Sequence, residues 1–357
     1  MKLRLGLVGL GPSWANRHRP ALQTLAERFE VRAVCDPVAH RAEQVARELG
    51  ARPCDGFRCV AAAEDVDALM ILSARWFGPL PIFAACDHSK AVYYGAPVDL
   101  PADRADALRK RVKESGIAFM AEFPNRLAPA TIRLQELIAT RLGKPRLLIC
   151  NQRLAPPTGD PTMKDQATRR LVEMVDWCRY VVGEEVTSIL GAMSVPKPTS
   201  GANGAPAKEG SPAATDACQS DDYSLLTLQF APGEEGGPGA AAQIACGSYA
   251  PPELAEAASF RRPADMQVVC ERGIAFVDLP STVVWFDAAG QHTETLQHER
   301  PVGERLLMQF HRSVASLVLR TASLEDGYRA MAIVGQARRS CREGRRIDIA
   351  HGPMPAR

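Results

Sequence analysis

The stretch that most constrains this chain is GLVGLGPSWA, residues 6–15, which overlaps the apolar run Leu3–Val8. A continuous apolar run of this length reads as a parallel strand buried on both faces. Two glycines directly after it, with helical spacing at Pro20–Arg28, predict a tight strand-to-helix turn. Gly9 permits the turn, and Gly11 lets the backbone approach a pyrophosphate. The first amides of the next helix would then face the phosphate charge. The third glycine of the usual Gly-x-Gly-x-x-Gly pattern is Trp14 here. A ring of that size cannot give the close helix–strand contact of a glycine, so a wider or slightly longer loop is expected.

Strands and helices continue to alternate. A strand at Val31–Cys35 is followed by a helix at Ala39–Leu49 that Gly50 stops. Further strands fall near Ala68–Ser73, Ala91–Tyr94 and Ile117–Met120, with helices at Pro81–His88 and Ala102–Ser115. This order predicts a Rossmann-type, doubly wound parallel sheet with right-handed crossovers. Asp36 closes the second strand, 25 residues past Gly11. A carboxylate there accepts the ribose hydroxyls of an adenosine and repels a 2′-phosphate, which favours NAD over NADP. The other reading is that Asp36 caps the turn before Pro37.

From about Phe123 the pattern changes. A helix at Ala130–Arg141, strand Arg146–Gln152 and helix Ala167–Val182 lead into a succession of strands. These are Thr187–Ser194, Ser224–Phe230, Ala240–Ser248, Met266–Glu271, Ile274–Asp278 and Thr282–Phe286. A mostly antiparallel sheet with helices on one face is the expectation. At 357 residues the chain exceeds one ordinary core. The division expected is a dinucleotide-binding domain at 1–122 and an α/β domain at 123–357 for substrate binding and dimerisation. The second domain carries a flexible, ligand-free insertion at 196–221, rich in Pro, Gly, Ser and Ala, and closing helices within 304–341. Alternating apolar residues in Leu226–Phe230 and Ile244–Tyr249 suggest a face for a homodimer or a dimer of dimers.

A formal net charge of +2 offers nothing to a nucleic acid or a membrane surface. The ten cysteines show no CxxC and no zinc-like pairing, so reduced thiols in the cytoplasm are expected and no metal. The apolar start is too short for a leader and lacks an A-x-A site, and no run approaches 18 apolar residues.

GLVGLG with RHRPAL (Gly6–Leu22) and VCDP (Val34–Pro37) resembles the glucose–fructose oxidoreductase/inositol dehydrogenase (Gfo/Idh/MocA) family. FPNRLAP (Phe123–Pro129), LGKPR (Leu142–Arg146) and SLEDGYRAMAIVGQARRS (Ser323–Ser340) extend the likeness over nearly the whole chain. The resemblance implies an NAD(P)-dependent oxidoreductase acting on a sugar, cyclitol or related polyol. Gly9, Gly11, Ser13, Trp14, Asp36, Ser73, Arg75 and Pro97 then fall on the cofactor side. Tyr94, Arg126, Lys164, Arg169 and Glu173 fall in the substrate pocket.

The resemblance also exposes departures. Members usually carry Glu-Lys-Pro where this chain has Gly95, Ala96 and Pro97. Ala74–Gly78 (ARWFG) replaces a Pro-Asn-x-x-His motif. Glu173 and Arg169 stand where a histidine and the first aspartate of an Asp-x-x-x-His-x-x-Asp helix are expected, and Asp176 is retained. A positioned acid or base is worth roughly 10²–10⁴ in rate, or about 3–5 kcal/mol of barrier. Chemistry is therefore impaired or moved. Glu173 is either a replacement base or the i, i+4 charge partner of Arg169. Lys164 is either a substitute ammonium or a solvated loop residue. Strand alternation sends only one of Tyr93 and Tyr94 to either face. Arg75, Arg126 and Arg169 either line a pocket for an anionic or hydroxyl-rich ligand or are structural. Two alternatives to the oxidoreductase remain: a non-catalytic nucleotide- or sugar-binding sensor or assembly protein, and NAD-dependent elimination or glycoside cleavage.

Overall fold

The computed structural model describes residues 2–95, 97, 100, 102–154, 162–194, 223–233, 237–248, 256, 259–316 and 322–349. Ala96 and the insertion 196–221 lie outside them. In chain order the first elements are β1 (Leu3–Val8), α1 (Arg19–Thr24), β2 (Phe29–Cys35), α2 (Ala39–Leu49), β3 (Arg52–Pro53) and α3 (Phe57–Ala62). Next come β4 (Ala68–Ile71), α4 (Leu80–Asp87), β5 (Ala91–Tyr94), α5 (Ala102–Ser115), β6 (Phe119–Ala121) and α6 (Pro129–Leu137). The strand-rich part holds β7 (Pro145–Arg153), α7 (Thr162–Val182), β8 (Val186–Ser194), β9 (Tyr223–Phe230) and β10 (Ala241–Gly247). It continues with β11 (Met266–Cys270), β12 (Ile274–Asp278), β13 (Thr282–Asp287) and β14 (Gly290–Thr295). The chain closes with α8 (Val302–Ser316), α9 (Leu324–Glu343) and β15 (Ile347–Asp348).

Two compact units emerge: Met1–Pro129 with His298–Met331, and Ala130–Gln297 with Ala332–Arg357. The division runs through α9 rather than at one point near residue 122. α8 joins the first unit because Leu306, Leu307 and Phe310 enter the same core as Leu3, Leu5 and Leu7 of β1.

Among the described residues, the first unit has a six-stranded sheet in the order β3-β2-β1-β4-β5-β6. Every pairing in it is parallel, as the alternation predicts. β4 and β5 are buried along their whole length, which is why their residues read as apolar runs. Tyr93 and Tyr94 point into opposite core layers, and neither is more than 4% exposed. In such a sheet, ligands bind outside the carboxyl ends of the strands. The glycine turn, Asp36, Gly95 and Glu122 all lie at that edge.

The second unit carries a nine-stranded mixed sheet, β14-β13-β12-β11-β7-β10-β9-β8-β15. Only β7 and β10 pair in parallel among the described strands. Leu226, Leu228, Phe230, Ile244 and Cys246 are buried, and the Cys150 thiol of β7 lies 3.4 Å from that of Cys178 in α7. The apolar half of the β9 and β10 alternation therefore turns inward. Leu190, Leu225 and Phe286 are the large apolar side chains left exposed on this unit's strands.

Candidate functional site

The glycine turn is built by close approach. Gly9 and Gly11 have φ of +65° and +26°. A Cβ at Gly9 would stand 2.6 Å from the Ser73 carbonyl oxygen, and one at Gly11 would stand 2.4 Å from that of Leu72. Both positions thus require glycine through backbone conformation and through contact with the segment after β4. The turn then runs into one π turn over Trp14–His18, where the amides of Arg17 and His18 both donate to the Ser13 carbonyl at 3.0 and 3.2 Å. This wider winding accommodates the tryptophan. The Trp14 ring is buried in the same core layer as Leu10 and Leu22.

Asp36 makes the turn contacts of the capping reading. Its Oδ1 accepts the Val38 amide at 3.0 Å, an Asx-type turn before the helix. Its Oδ2 accepts the Leu10 amide at 2.9 Å and so ties the end of β2 to the glycine turn. Each oxygen keeps a lone pair for a ribose hydroxyl. Arg41, which sequence reasoning passed over, donates to the Leu10 carbonyl at 3.3 Å and lies 3.9 Å from Asp36. Burial pushes the neighbouring Cys35 thiol up to about 11, so it remains a neutral core group.

A further polar cluster at this edge also escaped the sequence reading. Glu122, directly after β6, has a fully buried side chain. Its Oε1 accepts Arg17 Nη1, and its Oε2 lies 2.9 Å from His18 Nε2. The Glu122 amide donates to the Tyr94 carbonyl at 2.9 Å, while the Gly95 amide donates to Ile71 at 2.8 Å. A Cβ on Gly95 would meet Glu122 Oε2 at 2.7 Å. The available signal was a charged residue ending a buried parallel strand, the position Glu122 holds in MAEFPNR.

The other expected residues of the first unit take mixed roles. The Arg75 guanidinium lies 6.0 Å from the ring of Trp76, which is 73% exposed. Arg126 stacks 5.2 Å above Phe123 and bridges to Asp326 at 3.2 Å. Tyr94 packs against Phe119. Ser73 enters through its backbone, as the wall behind Gly9, and Pro97 is half-buried.

In the second unit, α7 places its charged residues together. Glu173 accepts Arg169 Nε at 3.0 Å and Arg170 Nη1 at 2.9 Å. One turn on, Arg179 lies 3.5 Å from Asp176 and makes a two-point contact with Glu185 at 2.7 and 3.0 Å. Glu173, Asp176 and Arg179 are all buried. Beneath them, burial pushes the Cys246 thiol up to about 12. Both carboxylate oxygens of Glu173 are thus engaged by guanidiniums of its own helix. The side chain of Lys164 lies outside the described residues. A cavity of about 350 Å³, lined by Asn151, Gln152, Arg153, Tyr223 and Ala245, opens at one end of the β7–β10–β9 strands. Among the described residues no three His, Cys, Asp or Glu groups converge as a metal site. No helix described is long and apolar enough to cross a membrane.

Residues 3–123 match the sequence profile of the Gfo/Idh/MocA group, described as "Oxidoreductase family, NAD-binding Rossmann fold". The likeness to this oxidoreductase family thus lies in the NAD-binding Rossmann part of the chain. It is 28% identical over 198 residues to the scyllo-inositol 2-dehydrogenase (NAD(+)) of Bacillus subtilis, covering 53% of this chain. It is 30% identical over 203 residues to the inositol 2-dehydrogenase of Mycolicibacterium smegmatis, covering 55% of this chain. In both cases the match spans 57% of the relative's length. The fold is similar to that of the aldose-aldose oxidoreductase of Caulobacter crescentus, with a TM-score of 0.78 at 14% identity. That likeness covers 98% of this chain and 100% of the other.

Proposed function

We propose that this protein is a nicotinamide-dinucleotide-dependent oxidoreductase for a cyclitol, sugar or related polyol, with NAD(H) preferred over NADP(H). The observation that carries the proposal is the glycine turn bonded to Asp36 at the carboxyl edge of the parallel sheet. The residues present fit a dinucleotide: the positive φ of Gly9 and Gly11 and their close packing on Ser73 and Leu72 fix a tight turn at the strand ends, and Asp36 has lone pairs to spare. Gly9, Gly11 and Ser13 would hold the phosphates, and Asp36 the adenosine ribose, with Ser73, Arg75 and Pro97 further along the same edge. When bound, the dinucleotide supplies the hydride acceptor for a secondary alcohol. The polyol class rests on the names of the relatives. With Ala96 unable to titrate and Glu173 engaged by two arginines, the proton-handling group has moved from the family's positions or is lost.

The engagement of Glu173 by Arg169 and Arg170 favours one second reading, a protein that binds nucleotide and polyol without turning them over. Calorimetric titration with NADH and NADPH, followed by a polyol and sugar panel monitored by nicotinamide absorbance, separates the two. Binding of NADH with turnover supports the enzyme, and binding without turnover supports the sensor. Failure of both dinucleotides to bind refutes both readings. Assembly as a homodimer or dimer of dimers through the sheet face bearing Leu190, Leu225 and Phe286 belongs to the same proposal. A monomeric mass by light scattering at micromolar concentration contradicts it.

A further inference from the structure

One fully buried carboxylate ties together three segments at the cofactor edge of the first unit. Glu122 follows β6, Gly95 follows β5, and Arg17 and His18 end the π turn that continues the glycine loop. We propose that Glu122 is a positioning residue of the nucleotide site. It clamps Arg17 and His18, and through them holds residues 9–18 in the conformation that receives the dinucleotide. The proposal rests on the nucleotide reading given above.

Three observations support the clamp. The contacts reach across 104 and 105 residues of sequence, so Glu122 fixes the loop to the strand ends rather than bracing its own segment. Arg17 is only 19% exposed and His18 3%, so the loop holds both side chains against the sheet edge and out of water. A guanidinium stays in such a place only when a countercharge keeps it there. Gly95, finally, is the residue that makes the arrangement possible. Its missing Cβ leaves room for Oε2, and the carboxylate cannot retreat while Arg17 and His18 hold its two oxygens.

His18 adds a second sign that the cluster serves a site. Its Nε2 is taken by Glu122, which leaves Nδ1 as the ring nitrogen still to be satisfied. Nδ1 is buried and has no hydrogen-bond partner among the described residues. Buried polar atoms left this way concentrate at functional positions.

The test uses the full chain with three variants: Glu122→Gln, Gly95→Ala and the relocation Glu122→Gly with Gly95→Glu. Two readouts are taken, NADH affinity by titration and amide hydrogen exchange over residues 9–18 without nucleotide. Glu122→Gln keeps the shape and removes the charge, while Gly95→Ala keeps the charge and pushes the carboxylate aside. Each single change should weaken NADH binding at least about tenfold and speed exchange over 9–18 while leaving α7 unchanged. The relocation returns a carboxylate to the same space from the other strand, and it should recover most of both losses. Unchanged exchange over 9–18 in Glu122→Gln overturns the proposal, and so does faster exchange with unchanged NADH affinity. Should Glu122→Gln fail to fold, the milder Gly95→Ala carries both readouts. If the unaltered protein binds neither NADH nor NADPH, the nucleotide reading falls, whereas the exchange data speak to the clamp alone.

Discussion

Glu122 and Glu173 are both buried carboxylates, each bonded to two basic side chains, yet they do different work. The partners of Glu173 are Arg169 and Arg170, one turn back on the same helix, so these contacts form within one helix. The partners of Glu122 are Arg17 and His18, brought from the other end of the unit's sequence. A local pair stabilises the helix that carries it, whereas a distant pair fixes where two segments sit. Of the two, Glu122 is the one bonded to residues of a distant segment, Arg17 and His18.

The largest effect should come from deleting the two carboxylates in turn. Glu122→Ala leaves the Arg17 guanidinium without its buried carboxylate and His18 Nε2 without its partner, and should cost about 3–5 kcal/mol in chemical unfolding. Glu173→Ala should cost less, because Arg170 is already one-third exposed and can turn to water. Equal costs would dissolve the distinction.

Gly11→Ala forces a Cβ against the Leu72 carbonyl at a positive φ and should cost about 1–3 kcal/mol. Gly50 also has a positive φ, +65°, but nothing stands within 4 Å of its Cβ position. The excess of Gly11→Ala over Gly50→Ala in melting experiments therefore measures the close approach, and only the former should weaken NADH.

Asp36→Asn keeps the shape but turns one acceptor into a donor, against the Leu10 or the Val38 amide. A loss of about 1 kcal/mol is expected. The preference for NADH over NADPH should narrow, as read by calorimetry. An unchanged preference would detach Asp36 from the ribose.

The smallest effect tests whether burial or separation in sequence gives Glu122 its weight. Arg4 and Asp67 are 63 residues apart and make a two-point contact, but both are about one-third exposed. The hydrogen bond from the Arg4 guanidinium holds the Asp67 carboxyl below the usual carboxylate range. A lowered folded value means the pair stabilises above the ordinary pKa of about 3.9 and fades as pH falls through the lower one. Asp67→Asn should thus cost about 0.2–1 kcal/mol at pH 7, and the gap to the unaltered protein should close in acid. A cost matching that of Glu122→Ala would show that long-range pairing, not burial, sets the scale.

Much of this protein is legible in local patterns. α2 and α5 begin and end where apolar spacing and the stop at Gly50 put them, and β5 coincides with its apolar run. The i, i+4 contact between Arg169 and Glu173 follows from helical periodicity alone. Short or polar strands gave no such signal. β3 has two residues, β15 has two, and β14 reads GQHTET without a buried face. Each exists because a neighbouring strand offers its edge.

The sequence by itself determined the parallel sheet, the glycine turn and the acidic end of β2, because each depends on residues adjacent along the chain. Tertiary structure alone decided the rest. It paired β7 with β10 in parallel, drew α8 into the first core, and sank Trp14 under a π turn. It also set Glu122 against Gly95, Arg17 and His18. Such contacts owe their energy to burial and to charges brought together from distant segments, and local spacing carries no record of which segments will meet.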